Sequence, residues 1–162
     1  MIFDDVKPYL DLGWYVMLLR DKSKQPHWSM KRGFHDASNN PFIVQDWLKL
    51  ESNSMNVGIA CEKSGLVVVD IDYRNMTAVS WAYAKELWAD TMTVETGDGI
   101  HLYFNAPAGL NLPAQLDAGI DIKYKGYVVA APSIHPNGKQ YEWNQKLPID
   151  YPQHFIKEKR AS

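Results

Sequence analysis

Cys61 is the only thiol in this chain of 162 residues. A single cysteine excludes an internal disulfide and any zinc site of the Cys-rich ribbon or knuckle type, so no zinc is expected. Its expected place is that of a small buried hydrophobe at a strand end. No apolar run approaches the ~20 residues that a membrane-spanning helix needs. The opening Met-Ile-Phe-Asp-Asp-Val-Lys is acidic and lacks the basic and apolar regions of a signal peptide. An intracellular protein with no membrane partner is therefore expected. No Gly-x-x-x-x-Gly-Lys-Ser/Thr loop occurs anywhere, and neither do internal repeats or low-complexity segments. What remains is an ordinary globular composition, 46% hydrophobic, sufficient for one well-packed domain or two small modules sharing an interface.

Net charge is small as well. A net charge of −2 argues, taken whole, against a phosphate-rich partner. The average hides a local excess: between Arg20 and Arg32, five basic residues (Arg20, Lys22, Lys24, Lys31, Arg32) meet one acid, Asp21. His27, Trp28 and His35 lie in or beside the same stretch and add stacking surfaces. Charge runs are most often solvated loops, but the interleaved aromatics favour a loop that contacts phosphate, with Lys24 and Arg32 as candidates to track a nucleic-acid backbone. Two divalent cations in an acidic site would also move the formal charge from −2 to +2.

Val6, Tyr9 and Leu10 recur at helical spacing after Asp4 and Asp5, and Gly13 supplies a stop, so a helix is predicted over 4–12. A strand over 14–19 and the basic loop over 20–39 follow. Asn40-Pro41 is an N-cap and N1 pair that opens a helix to about Leu50, with Val44, Trp47 and Leu48 on its buried face. Strands over 57–61 and 66–71 are joined by Glu-Lys-Ser-Gly, a composition that predicts a hairpin. Met76, Val79, Tyr83 and Leu87 predict a helix over 76–88, and strands over 91–95 and 100–104 flank an Asp98-Gly99 turn. Three short strands, over 120–123, 127–131 and 140–143, complete the pattern, with turns at Gly126 and at 136–138. Trp14, Trp47, Trp81 and Trp88 are expected in core or interface packing. The chain thus reads as α+β with a mostly antiparallel sheet, and its end, over 146–162, as a polar tail or linker.

Chemistry concentrates in Val-Val-Val-Asp-Ile-Asp, residues 67–72. The β-branched run favours a strand, in which residues two apart share a face, so Asp70 and Asp72 point together. At a rise of ~3.3 Å per residue their Cα atoms lie roughly 7 Å apart, within reach of two hard cations held ~4 Å from each other. Oxygen-only ligation suits Mg²⁺ or Mn²⁺. Alone, the pair divides about evenly between metal ligands and solvated acids capping the next helix. His101 and Tyr103 share one face of a later strand, and Asp121 alternates with Ile120 and Ile122 on a third. A buried acid in mid-strand costs several kcal/mol without a partner, which a metal would supply. Clustered acids of this kind are expected to repel one another when no metal is bound.

Taken together, Val-Val-Val-Asp-Ile-Asp (67–72), Gly-Ile-His-Leu-Tyr-Phe (99–104) and Gly-Ile-Asp-Ile-Lys (119–123) resemble the Asp-x-Asp, small-x-His and single-Asp strands of the archaeo-eukaryotic primase superfamily. The resemblance is to the prim-pol domain at the N-terminus of phage and plasmid replication proteins. It extends over nearly the whole chain through Gly-Trp-Tyr-Val (13–16), Lys-Gln-Pro (24–26), Asn-Val-Gly-Ile-Ala (56–60), Gly-Tyr-Val-Val-Ala-Ala-Pro-Ser (126–133) and Gly-Lys-Gln-Tyr-Glu-Trp (138–143). Departures are Gly-Asp-Gly-Ile-His where many relatives carry a longer Gly-Gly-x-His loop, and Ala-Pro-Ser in place of Pro-Pro-Ser.

The resemblance implies an RRM-like catalytic sheet joined to a small α/β module. One prim-pol domain over 1–162 is expected, with about 1–60 contributing the α/β module and about 66–145 the catalytic module. It further implies two metal ions and template-directed transfer of NTPs or dNTPs to a primer strand on single-stranded DNA, in the cytoplasm of a prokaryotic host. Asp70, Asp72 and Asp121 are similar to the family's metal ligands, and His101 to the histidine that contacts the incoming triphosphate. Lys123 and Ser133 fall where further nucleotide contacts lie, and Lys24 or Arg32 would follow the template. A helicase segment later in the same, longer polypeptide is expected. A metal-dependent nuclease, or a non-catalytic RRM-like binding module, is the alternative.

Overall fold

A computed structural model describes residues 1–50 and 55–156. In chain order its helices and strands are α1 (Phe3–Asp11), β1 (Tyr15–Leu19), α2 (Pro41–Leu50), β2 (Asn56–Ala60), β3 (Leu66–Asp72), α3 (Ala78–Leu87), β4 (Met92–Glu95), β5 (Gly99–Asn105), β6 (Gln115–Asp117), β7 (Ile120–Lys123), β8 (Tyr127–Val129), β9 (Glu142–Trp143) and β10 (Ile149–Asp150). Helix starts and stops follow local chemistry. The Asp5 carboxylate accepts the Ile2 N–H at 2.9 Å, and Gly13 turns the chain out of α1 at φ +80°. The Asn40 side chain accepts the Phe42 N–H at 3.0 Å to open α2. A reciprocal Thr77–Ser80 capping box opens α3.

The strands form two sheets. In the small one β2 lies between β1 and β8, both antiparallel to it. The large one runs β6-β7-β3-β5-β4-β9, antiparallel throughout, with β10 added parallel to the end of β5. From β3 the order is strand, helix, strand, strand, as the sequence predicts.

Period-two alternation decides what each face of the large sheet meets. Val67, Val69 and Ile71 of β3, Ile100, Leu102 and Phe104 of β5, and Ile120 and Ile122 of β7 form one core with Ala84 and Leu87 of α3. On the opposite face Leu66, Val68 and Tyr103 join a second core with Val6, Tyr9 and Leu10 of α1, Val44 of α2 and the small sheet. Three of four residues at the start of β3 are valine because that segment is buried on both sides. Cys61 is fully buried, and burial pushes its thiol up to about 12.

Two expectations are corrected, the β2–β3 hairpin and the tail, and the buried side of α3 is defined. β2 and β3 do not form a hairpin: a 3-10 turn at Glu62–Ser64 and Gly65, at φ +69°, carry the chain from the small sheet to the large one. The reason is saturation, since β1 and β8 hold both edges of β2 while β5 and β7 hold both edges of β3. On α3 the buried residues are Ser80, Ala84 and Leu87, with Val79 exposed and Tyr83 at the surface, because the helix is apolar on several sides and periodicity alone does not choose the inner face. Trp81 and Trp88 are accordingly exposed, Trp81 stacking on Tyr73, whereas Trp14 is buried. Residues 149–156 are not a tail: β10 pairs with β5, and Tyr151, Phe155 and Ile156 are buried. Positions 157–162 of the expected tail lie outside the described residues.

At the tip of the β3–β5 pairing Gly99 faces Asp72, and a Cβ on it would lie 1.9 Å from the Ile71 carbonyl oxygen. Gly99→Ala is expected to destabilise the protein by at least about 2 kcal/mol, the usual scale of overpacking against atoms that cannot move aside. In a chain of this size that is a fall in Tm of roughly 4–8 °C. Gly126→Ala, where a Cβ meets nothing within 4 Å, should melt like the wild type in the same calorimetric scan.

Candidate active site

Register assembles the site. Asp70 on β3 pairs with His101 on β5 and, on its other side, with Asp121 on β7. One rung of three strands therefore presents Asp121, Asp70 and His101 side by side, with Asp72 one step further along the same face of β3 and Lys123 two residues beyond Asp121. This face is continuous with the one that buries Val68 and Tyr103. Where the small sheet no longer covers it, it opens into a cleft of about 220 Å³ lined by these five residues together with Lys24, Arg74, Asp98, His135 and Tyr141. A wider adjoining cleft of about 500 Å³ shares Lys24, Asp70, His101, Lys123 and Tyr141, and adds Phe34, Tyr127 and an apolar wall from Leu112 and Ile122.

Each acid faces a basic side chain. His101 Nε2 lies 3.6 Å from Asp70 Oδ1, and Lys123 Nζ lies 4.0 Å from Asp121 Oδ2. Arg74 meets Asp72 in a fork, with Nε to Oδ1 and Nη2 to Oδ2 both at 3.1 Å, while Asn75 donates to Oδ2 at 2.8 Å. Each of the three acids thus has a basic partner within 4.0 Å. Burial pushes the Asp70 carboxyl up, but His101, with Lys123 and Lys24 behind it, outweighs burial and holds it below the usual carboxylate range. Asp72 is lowered chiefly by the Arg74 hydrogen bonds. Tyr141 is buried between the two histidines, its ring 6.2 Å from His101 and 5.9 Å from His135, and burial keeps its hydroxyl protonated.

The donor chemistry fits a hard divalent cation. Three carboxylates share a sheet face, two of them cross-strand neighbours, where Cβ atoms approach to ~5 Å. Among the described residues no group of three or more His, Cys, Asp or Glu side chains is placed so that it could hold a metal ion. The carboxylate oxygens instead face Arg74, His101 and Lys123.

Of the residues singled out from sequence, Asp70, Asp72, His101, Asp121 and Lys123 come together. Lys24 joins them in the cleft, because the basic loop folds back: Pro26 bridges to Leu19, and Tyr127 donates its hydroxyl to the Lys24 carbonyl at 2.7 Å. Arg32 lines neither cleft and is forked onto Asp36 at 2.9 Å on the surface. Ser133 is not brought to the cleft either. It is buried, and its hydroxyl is exchanged with the backbone of Val57, accepting the N–H at 3.0 Å and donating to the carbonyl at 3.2 Å. Arg74, Asp98, His135 and Tyr141 were not foreseen. Arg74 was traceable as the nearest cation to the acid pair, and Asp98 as the acid between Gly97 and Gly99. His135 sits in an irregular loop and left no signal.

Fold and cleft together define a mixed α/β protein with a mostly antiparallel central sheet and an acid- and histidine-lined cleft on one face. The family model for the N-terminal domain of bifunctional DNA primase/polymerases matches residues 7–153, and the chain belongs to that family. No curated protein matches it significantly. Among the described residues no helix is long and apolar enough to cross a membrane.

The lowered carboxyls make stability depend on acid. A group whose folded pKa is depressed contributes stability that is present above its unfolded value, ~4, and is lost as pH falls through the folded one. The metal-free protein is expected to lose Tm progressively below about pH 4. Asp70→Asn, which cannot titrate, should flatten that acid limb in a pH-resolved melting series.

Proposed function

We propose that this chain is a template-directed nucleotidyltransferase, a DNA primase/polymerase that adds nucleotides to a 3′-hydroxyl on single-stranded DNA during replication in a prokaryotic cell. The observation that carries the reading is the single rung Asp121–Asp70–His101 at the floor of a cleft, in a chain of the primase/polymerase family.

In this reading Asp70, Asp72 and Asp121 would hold Mg²⁺ or Mn²⁺, and two such ions would supply activation of the primer hydroxyl and neutralisation of the triphosphate and leaving pyrophosphate. The remaining steps fall to the chain's own groups. His101 Nε2, on the rung with Asp70, donates to a phosphate oxygen of the incoming nucleotide. Lys24 and Lys123 add positive charge beside it, where a low-dielectric wall strengthens their pull on a triphosphate. The wider cleft, walled by Phe34, Ile122 and Tyr141, takes the nucleoside and keeps water from it. The template follows the basic loop, whose Trp28 is 67% exposed and carries the Arg20 guanidinium 3.4 Å above its ring centre. Arg32, on the same loop, meets the template further from the chemistry. A helicase segment in a longer polypeptide would raise template affinity through high effective concentration.

Primer extension on a labelled single-stranded template, with dNTPs or NTPs and either metal, tests the reading. Asp70→Ala and Asp121→Ala should each cut incorporation by at least roughly 100-fold, the scale of losing a group that acts on the reacting charges. Near wild-type extension by the double variant would overturn it, as would metal-dependent shortening of the strand with no nucleotide-dependent growth.

A second measurement addresses the histidine. His101→Gln should weaken nucleotide binding roughly 10-fold, the loss of one charge-assisted hydrogen bond, and leave single-stranded DNA affinity within about 2-fold. Equal loss of both ligands would assign His101 a structural role instead.

A further inference from the structure

Arg74 stands on the 3-10 turn at Tyr73–Asn75, immediately past the acid pair. It lies just beyond the Val-Val-Val-Asp-Ile-Asp stretch, and its guanidinium touches two carboxylates at once. Its Nε and Nη2 hold the two oxygens of Asp72 at 3.1 Å, and Nη1 lies 3.4 Å from Asp98 Oδ2. Behind Asp98 stands His135, with Nε2 3.6 Å from the same Oδ2. The His135 tautomer is set by its own backbone neighbour, because Nδ1 accepts the Asn137 N–H at 3.0 Å and leaves Nε2 as the protonated nitrogen facing Asp98. The imidazole is itself seated against Gly97, where a Cβ would approach its Cγ to 2.4 Å. A chain of contacts thus runs from a closely packed histidine through Asp98 to Arg74 and ends on Asp72.

The two ends of that chain differ. Asp98 is fixed by His135 and is not on the rung with the other acids. Asp72 is one of the residues read above as holding the divalent cation, and its roughly four lone-pair sites already meet the guanidinium twice, the Arg74 N–H at 3.1 Å and the Asn75 amide at 2.8 Å. A cation on Asp72 therefore has to displace one of these donors, and the guanidinium, whose positive charge it repels, is the one it disfavours most. A guanidinium displaced from Asp72 keeps its contact with Asp98, remains at the cleft mouth with its side chain 64% exposed, and presents a planar fork that suits phosphate as well as carboxylate.

We propose that Arg74 is a triphosphate-binding residue, positioned by Asp98 and His135, which occupies Asp72 as a built-in counter-ion until a divalent cation takes its place. The proposal rests on the nucleotidyl-transfer reading of the same cleft. It makes Asp98 and His135 positioning residues and gives Arg74 two opposed effects, competition with the metal and attraction for the nucleotide.

The test separates those effects with two titrations on the intact chain, Mn²⁺ alone and then dATP in saturating Mn²⁺, each followed by calorimetry. Arg74→Gln should bind Mn²⁺ about 3- to 10-fold more tightly, since its competitor is gone, and dATP roughly 10-fold more weakly, since a charge-assisted phosphate contact is lost. Arg74→Lys should restore only part of the dATP affinity, because a point charge does not reproduce the fork. Asp98→Asn, which takes away the anchor of the displaced guanidinium, should weaken dATP and should not tighten Mn²⁺, whereas tighter Mn²⁺ would count against the proposal. Weaker Mn²⁺ binding by Arg74→Gln would show that Arg74 merely orients Asp72 and would overturn the proposal, as would dATP affinity unchanged from wild type. If the wild-type chain extends primers and only these variants disagree, this inference alone fails. A wild type that binds neither Mn²⁺ nor dATP removes the nucleotidyl-transfer reading and this inference together.

Discussion

Everything at the site depends on the register of one strand. β3 pairs on both sides, with Asp70 opposite His101 on β5 and opposite Asp121 on β7. Side chains alternate with period two, so a one-residue slip of any of the three strands would send its polar residues into the α3 core and its isoleucines into the cleft. The apolar partners enforce the register. Val67, Val69 and Ile71 lock against Leu102, Phe104 and the β7 isoleucines on the side that faces α3. Burial of apolar side chains is worth roughly 2 kcal/mol each, and several would be forfeited by a slip. The hydrophobic core thus fixes where the acids are, although it contains none of them.

That placement brings acids to a partly buried edge, and the protein sets a different basic side chain beside each. Lys123 is at the surface and faces Asp121 loosely, so water and salt screen the pair. Asp70 is deeper and relies on His101, itself nearly buried and with Nδ1 lacking a hydrogen-bond partner among the described residues. Asp72 has the closest match, a forked guanidinium with an amide beside it. The compensation is therefore graded, from an exchangeable surface ion to a fixed imidazole. A cleft compensated in this way can exist before a ligand arrives, and each counter-ion is also a group that a polyanionic ligand can recruit.

The sequence disclosed the local parts of this arrangement and hid the ones that depend on tertiary choice. The Val-Val-Val-Asp-Ile-Asp run, the Ile-x-Ile alternation around Asp121 and the Asp98-Gly99 turn each carry their own geometry, so the strands and the residues sharing a face could be read directly. Which strands are neighbours could not. Glu-Lys-Ser-Gly has the composition of a hairpin turn, and only the occupation of both edges of β2 and of β3 excludes that pairing. Ser133 shows the same limit at the level of one side chain: the resemblance implies a nucleotide contact there, whereas its hydroxyl satisfies the buried backbone of Val57. The missed residues, Arg74, Asp98 and His135, act through contacts between loops, and a loop has no period from which to infer a direction.

Lys24 joins these two levels. As sequence it is one cation in a basic stretch, indistinguishable from Lys22 or Lys31. The fold selects it through two adjacent crossovers between the sheets. Cys61 N–H donates to Gly126 O at 3.0 Å and Glu62 N–H to Tyr124 O at 2.9 Å, which fastens the exit from β2 to the entry into β8. That fixes Tyr127, whose hydroxyl holds the Lys24 carbonyl, while Asn56 at the start of β2 donates to the Ser23 carbonyl at 3.0 Å. The basic loop is tied at both contacts to the same strand pair that borders the cleft, so one of its cations is delivered beside Asp70 and the remainder stay outside. A loop anchored in this way owes the position of Lys24 to hydrogen bonds from the two strands that border the cleft, and not to any feature of its own sequence.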